Sequence, residues 1–345
     1  MSEPTIAPVV DRNPHLSSAE RASIYRRNFF CFLGDLLLFS IAIQFIDAST
    51  VVPDFVRKLT DSEILIAMSS QVFSIGYLMP QLLVARSLTR VAHKKWWFVG
   101  PNIPIRFLVL VFAGVIVLLE NQHHTWILIA FFVVYGIAAL GDGLVGVPWI
   151  DLIGSSLDDK RRARLFGWGN ALVGVMMLFL APVAGYILGE PINILGWHID
   201  LPDLNLSFPH NYALLFAVSG VIFALTIPAG LFIRELPGGK PRLTAPPLRE
   251  YLPELLTVLR EDHSFRAMII VRVLFAFFAI ATPFYIGLAT DHLGLSSGTA
   301  VRNLLFMKTV GIVSGSLLFA RIGDRRTTFI VRFGLGLGML QPIFA

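Results

Sequence analysis

Residues 315–334 read GSLLFARIGDRRTTFIVRFG. An apolar run breaks into three arginines within six residues (Arg321, Arg325, Arg326) and turns apolar again at once. In a soluble chain this would be a solvated turn between two core helices. In a membrane chain it would be a basic loop between two spans. The sequence on either side decides between them.

That sequence is too apolar for a soluble domain. It is 55% hydrophobic and 15% charged, with a mean hydropathy of +0.70. Apolar stretches of about 18 or more residues recur along it, each long enough to cross roughly 30 Å of hydrocarbon. One such run can be a buried core helix, but a regular series reads as an all-α polytopic membrane protein. The first 28 residues are polar, carry Arg12, Arg21, Arg26 and Arg27, and hold no short apolar core followed by a cleavage site. They are expected to be a cytoplasmic lead-in rather than a signal peptide. Within them, Ser17 and Glu20 have the spacing of a capping box for a helix running into the membrane. With Cys31 the only cysteine, an intramolecular disulfide and a cysteine-based metal site are excluded.

Nine spans are predicted, at 29–51, 63–85, 96–119, 125–147, 165–188, 211–233, 266–290, 299–320 and 327–345. Their connections sort by charge. One set carries Arg86, Arg90, Lys94 and Lys95; Lys160, Arg161, Arg162 and Arg164; Arg234 to Arg260; and Arg321 to Arg326. The alternate set carries Arg57 and Lys58, then no Lys or Arg in 120–124, 189–210 or 291–298. The positive-inside rule places the basic set and the N-terminus in the cytoplasm, with the plasma membrane as the expected location. The net charge of +5 is then loop topology and attraction to anionic headgroups, not a nucleic-acid signal.

Four parts follow: a cytoplasmic segment 1–28, a six-helix bundle 29–233, a cytoplasmic linker 234–265, and a partial second bundle 266–345. The linker opens on ELPGGKPRLTAPP, whose prolines and glycines break a helical pattern. It continues in LREYLPELLTVLRED, whose leucines recur at helical spacing opposite charges. That helix fits the inner membrane surface or the underside of the bundle equally well. Span two leads into the basic stretch 86–98 and span eight into 321–329, which reads as an internal repeat of the kind that marks transporters.

The opening stretch now has a resemblance. Gly315, Leu317, Arg321, Gly323, Arg325 and Arg326, with Asp324 among them, resemble the loop signature of the major facilitator superfamily, which lies between the second and third helices of each half. Ala320 stands where that signature has an acid. A looser first-half copy uses Gly76, Leu78, Arg90, Lys94 and Lys95, and 147–169 is similar to the family's connection after the fourth helix. The resemblance implies twelve spans in two bundles and secondary active transport of a small solute by alternating access, without a cofactor. Against twelve spans, the sequence is expected to be a truncated chain ending in the ninth helix. It also implies a small-molecule substrate, a coupling ion (H+), a lipid surround, no nucleic-acid partner and a monomer. Only Pro182 and Gly185 of the drug-antiporter signature are present, so drug efflux is not assigned.

Ionisable residues inside spans are costly and mark pathways or partners. Those here are Asp35, Asp47, Arg106, Asp142, Arg272 and Lys308. Asp35 and Asp142 sit at similar depth near the cytoplasmic ends of spans one and four, and Arg272 matches that depth in span seven. Because helices one, four and seven line the pathway in the family, a cluster of these three at its inner mouth is expected. Arg106 is alternatively a structural partner for a carboxylate inside the first bundle. Ser40, Gln44 and Asp47 form a polar stripe on span one, and Ser70, Ser74, Tyr77 and Gln81 form another on span two. Asp47 lies near enough to the outer end to be merely solvated. Lys308 shares a face with Gly311 and Gly315, so packing competes with transport there. Asp151 with Arg161, Arg162 and Arg164 offers either a latch between halves or simple anchoring. The eight histidines fall in predicted loops or the N-terminal segment, and no phosphate-binding glycine signature occurs, so a membrane enzyme or direct ATP use is not favoured. A channel or a sensor on the same scaffold is the alternative to a carrier.

Overall fold

The computed structural model describes residues 17–88, 91, 93–120, 123–194, 197–236 and 248–317, together with positions 334 and 336. The basic turn holding Arg321, Gly323, Asp324, Arg325 and Arg326 lies outside the described residues, as does nearly all of the predicted ninth span.

Helix α1 (Ser18–Phe45) starts where the capping box predicts. The Ser17 hydroxyl accepts from the Glu20 amide, and the Glu20 carboxylate accepts from the Ser17 amide at 3.0 Å. The helix is one continuous rod from the polar lead-in into the apolar run. It stops at Phe45, six residues short of the predicted end, because Asp47 turns the chain by accepting the Ser49 amide at 2.9 Å. The short helix α2 (Val51–Arg57) then tucks back into the bundle end. Its Phe55 is fully buried among Phe112, Phe131, Phe208, Tyr212 and Phe216, with ring centroids 5.3 to 6.1 Å apart.

The second predicted span is broken. It divides into α3 (Glu63–Leu78) and α4 (Gln81–Leu88) at Pro80, which offers no amide to the preceding turn. Then come α5 (Lys95–Leu119), α6 (His124–Ser156) and α7 (Asp159–Ile187). A two-stranded antiparallel hairpin, β1 (Ile192–Ile194) with β2 (Trp197–Ile199), occupies part of 189–210 and is a small departure from an all-α chain. Helices α8 (His210–Ala224) and α9 (Thr226–Phe232) complete the first bundle. The linker holds α10 (Leu248–Glu261), followed by α11 (His263–Gly287), a π-helical turn (Leu288–His292) and α12 at 297–317. Among the described residues, five helices, counting α8 and α9 as one, are long and apolar enough to cross a membrane.

The two sets of connections collect at opposite ends. At the end where α1 begins, Asn28 is fully buried and exchanges hydrogen bonds with the Arg234 backbone, both 2.9 Å. Glu235 accepts the amides of Lys94 and Lys95 and so caps α5 from a distant part of the chain. At the other end the halves meet. Arg57 pairs with Asp291 at 3.1 Å, Ser296 donates to Glu190, and Lys308 pairs with Asp47. Gly185 and Gly298 allow that approach, because a β-carbon on Gly298 would stand 2.9 Å from the Gly185 carbonyl oxygen.

Candidate functional site

The run AALGDGLVG (138–146) on α6 sets the geometry of the site. A β-carbon on Gly141 would overlap the Ile105 side chain of α5, and one on Gly143 would collide with the Tyr77 carbonyl of α3. These glycines therefore let α6 press against both neighbours, as small residues do at helix interfaces in membranes. Asp142 lies between the two contacts. Its neighbour across the interface is Arg106, next to Ile105, and Arg106 Nη1 stands 3.0 Å from Asp142 Oδ1 with both side chains at least 93% buried. The pair is in ionic contact without being aligned for a hydrogen bond. The guanidinium is held from two further sides by the Phe39 ring at 4.8 Å and the Phe223 ring at 4.7 Å.

Asp35 on α1 faces the same cation. Trp149 Nε1 donates to Asp35 Oδ2 at 2.8 Å, while Asp35 Oδ1 and Arg106 Nε are buried with no hydrogen-bond partner among the described residues. The three charged groups and Trp149 border a cavity of 180 Å³ whose remaining wall includes Tyr77, Phe98 and Gly146. The result is two carboxylates, one cation and a small space between them, enclosed mostly by aromatic and aliphatic groups. Such a site can bind a proton or exchange partners around Arg106, because each buried charge must keep a counter-charge.

The sequence expectations sort unevenly onto this arrangement. Asp35 and Asp142 come together as their matching depth implies. Their cation is Arg106, the alternative role it was given, whereas Arg272 is exposed on α11. Depth along a helix does not fix which way a side chain points, and that is why Arg272 was grouped with them. Gln44 is buried, with its Nε2 unpartnered among the described residues, and lies nearer the other end of α1. Ser40 bonds its own helix at the Leu36 carbonyl, 2.7 Å, rather than lining a cavity. On α3, Ser70 is buried and Tyr77 borders the cavity, but Ser74 is exposed.

Asp47 is not solvated. It is buried, accepts from Ser49 and Thr50, and pairs with Lys308 across the two halves. Gly311 and Gly315 have nothing within 4 Å of where a β-carbon would stand, so no packing partner for that face is present among the described residues. Asp151 pairs with Lys94 within the first bundle, not with the α7 arginines. Arg161 and Arg162 instead pair locally with Asp158 and Asp159. Trp149, Phe39 and Phe223 were missed. Trp149 falls seven residues after Asp142, on the same helical face, which was a readable signal.

No curated protein matches the chain. A family model does: that of the Major Facilitator Superfamily covers residues 29–345, which takes in both sides of the central linker and the whole of the site. An apolar multi-helix bundle with paired charges inside it and a match of that extent lead to one conclusion: the chain belongs to the Major Facilitator Superfamily and is a multi-pass secondary transporter of a small solute.

Proposed function

We propose that the chain moves its solute by alternating access of two halves, 29–233 and 266–345, and that protons drive it through Asp35 and Asp142. The observation that carries this reading is the charge count around the cavity: two buried carboxylates share one guanidinium. With both acids ionised, the site holds an uncompensated negative charge in an apolar surround. A proton on either acid removes it and leaves Arg106 to the other. Because Asp35 is on α1 and Asp142 on α6, that choice alters which helix the arginine holds, so protonation and helix packing become linked.

The halves contact each other at the end carrying Asp47, Arg57 and Glu190, which the loop charges assign to the outside of the plasma membrane. This is a conformation closed on that side. Gln44, Asp47 and Lys308 line the approach to that contact and are proposed as pathway residues. A cysteine at Asp203, in a variant lacking Cys31, is expected to react with an impermeant reagent from outside intact cells. Reaction only after permeabilisation would reverse the orientation.

The mechanism is tested in proteoliposomes with a solute identified by an uptake screen. An imposed proton gradient should drive its accumulation by the full-length, twelve-span parent that the family implies, in which the variants are made. Asp35→Asn and Asp142→Asn should each abolish accumulation while retaining exchange of solute down its own gradient. Should both variants still accumulate solute, the two acids are structural and Asp47 becomes the coupling candidate.

A further inference from the structure

The α7 arginines that pair with nothing across the halves point to a second site. Helices α1 and α7 begin side by side at the end assigned to the cytoplasm, and a groove of 540 Å³ opens between their first turns. Arg26 of α1 and Arg161 and Arg164 of α7 line it, with the Ser23 hydroxyl between them and Phe29 and Phe30 forming its apolar side. Arg161 is set in place by Asp158, 2.9 Å away, and by the Tyr25 ring at 5.5 Å. Those contacts use only part of a guanidinium's five donors. Arg26 and Arg164 are exposed and have no ion-pair or hydrogen-bond partner among the described residues. The nearest acids of α7, Asp158 and Asp159, are occupied by Arg161 and Arg162.

The groove is therefore cationic at one side and apolar at the other. The apolar side continues along the helices towards the membrane: Phe30 is 63% exposed, and Trp168, one turn beyond Arg164, is 65% exposed. Three guanidinium groups above exposed aromatic rings match a phosphate with acyl chains below it. Arginine forks bind phosphate oxygens in pairs, and Trp sits by preference at the headgroup level.

We propose that this groove binds the headgroup of one anionic phospholipid, with its phosphate held by Arg26, Arg161 and Arg164 and its chains laid along Phe30 and Trp168. A bound lipid there bridges α1, which carries Asp35, to α7, and it does so whether or not protons drive transport.

Binding is read on the delipidated full chain in detergent by native mass spectrometry, with dioleoyl phosphatidylglycerol, dioleoyl phosphatidylcholine and inorganic phosphate as probes. The parent should hold one phosphatidylglycerol at least tenfold more tightly than phosphatidylcholine. The Arg26→Gln/Arg164→Gln variant should lose that preference. Arg27→Gln/Lys160→Gln removes the same charge from the same end but outside the groove, and should keep it. Equal loss in both variants would reduce the effect to general surface charge and overturn the site. An absent preference in the parent, or displacement of the lipid by millimolar inorganic phosphate, would overturn it as well.

Discussion

Two sets of paired charges hold this protein, and they differ in what they join. Around the cavity, Arg106, Asp142 and Asp35 link α5, α6 and α1 inside one bundle, sealed by Phe39, Phe223 and Trp149. At the opposite end, Asp47–Lys308 and Arg57–Asp291 link one half to the other, and each has a partner half exposed: Lys308 at 43% and Asp291 at 53%. The sealed set is expensive to break, since an unpaired charge in an apolar surround costs several kcal/mol. The Arg57–Asp291 pair is cheap to break, since water replaces the lost partner. Asp47 is buried and would keep only Ser49 and Thr50 as partners, among the described residues, when Lys308 withdraws. The alternating access proposed for this chain needs that division: rigid halves, and contacts between them that can be made and released.

The sharpest way to break the comparison is Arg106→Leu. It strands two carboxylates among aromatic rings and should lower stability by about 3–5 kcal/mol. The readout is the temperature at which the purified protein stops migrating as a single species. Arg106→Leu combined with Asp35→Leu and Asp142→Leu removes all three charges and should recover most of the loss. If Arg106→Leu alone is neutral, the cluster is not the rigid element claimed for it.

The glycines of α6 come next. Gly143→Ala sets a β-carbon against the Tyr77 carbonyl, a backbone atom that cannot turn aside, and should cost about 1–3 kcal/mol. Gly136→Ala on the same helix meets only Val72 Cγ1, at 3.9 Å. That change should be neutral or favourable by up to about 1 kcal/mol, because alanine orders a helix better than glycine. Similar losses in the two variants would mean that helix propensity, rather than the approach of α6 to α3, governs this interface.

These two cases also show what could be read in advance. The apolar runs predict α5 to within a residue and locate α6 and α7, because length and hydropathy are what a bilayer demands of each span. But α6 runs on to Ser156, past the predicted 147, and α7 starts at Asp159, ahead of the predicted 165. Loop charges predict which connections gather together, and Ser17 with Glu20 marks the start of α1. Breaks within spans are harder. Pro80 and the Asp47–Thr50 turn were both visible, yet an apolar window averages across them. The site was half legible, since sequence position gives depth but not azimuth. Asp35 and Asp142 were paired by depth alone. Choosing Arg106 over Arg272 needed to know which neighbour α6 presses against, and the glycines on either side of Asp142 held that information. What no local pattern holds is a contact such as Glu235 capping α5, made across 140 residues of chain.

The smallest expected effect concerns the contact between halves. Arg57 is shared by Glu63 of its own half at 3.5 Å and Asp291 of the other at 3.1 Å. Its guanidinium fills the space that a β-carbon on Gly287 would take. Since both acids are largely exposed, Asp291→Asn and Glu63→Gln should each change stability by less than about 1 kcal/mol. Raising the salt to about 1 M, where charges are screened beyond roughly 3 Å, should erase even that. The two changes differ in what they do to opening. Glu63→Gln leaves Arg57 wholly to Asp291 and should favour the closed outer end, whereas Asp291→Asn frees Arg57 for Glu63 and should favour opening. Labelling of a cysteine placed at Ser297, which sits within hydrogen-bond reach of Asp54 in this closed arrangement, reads the difference. Labelling should be faster than the parent's with Asp291→Asn and slower with Glu63→Gln. Equal rates in all three would mean that the close approach of Gly185 and Gly298, and not the charges, keeps this end shut.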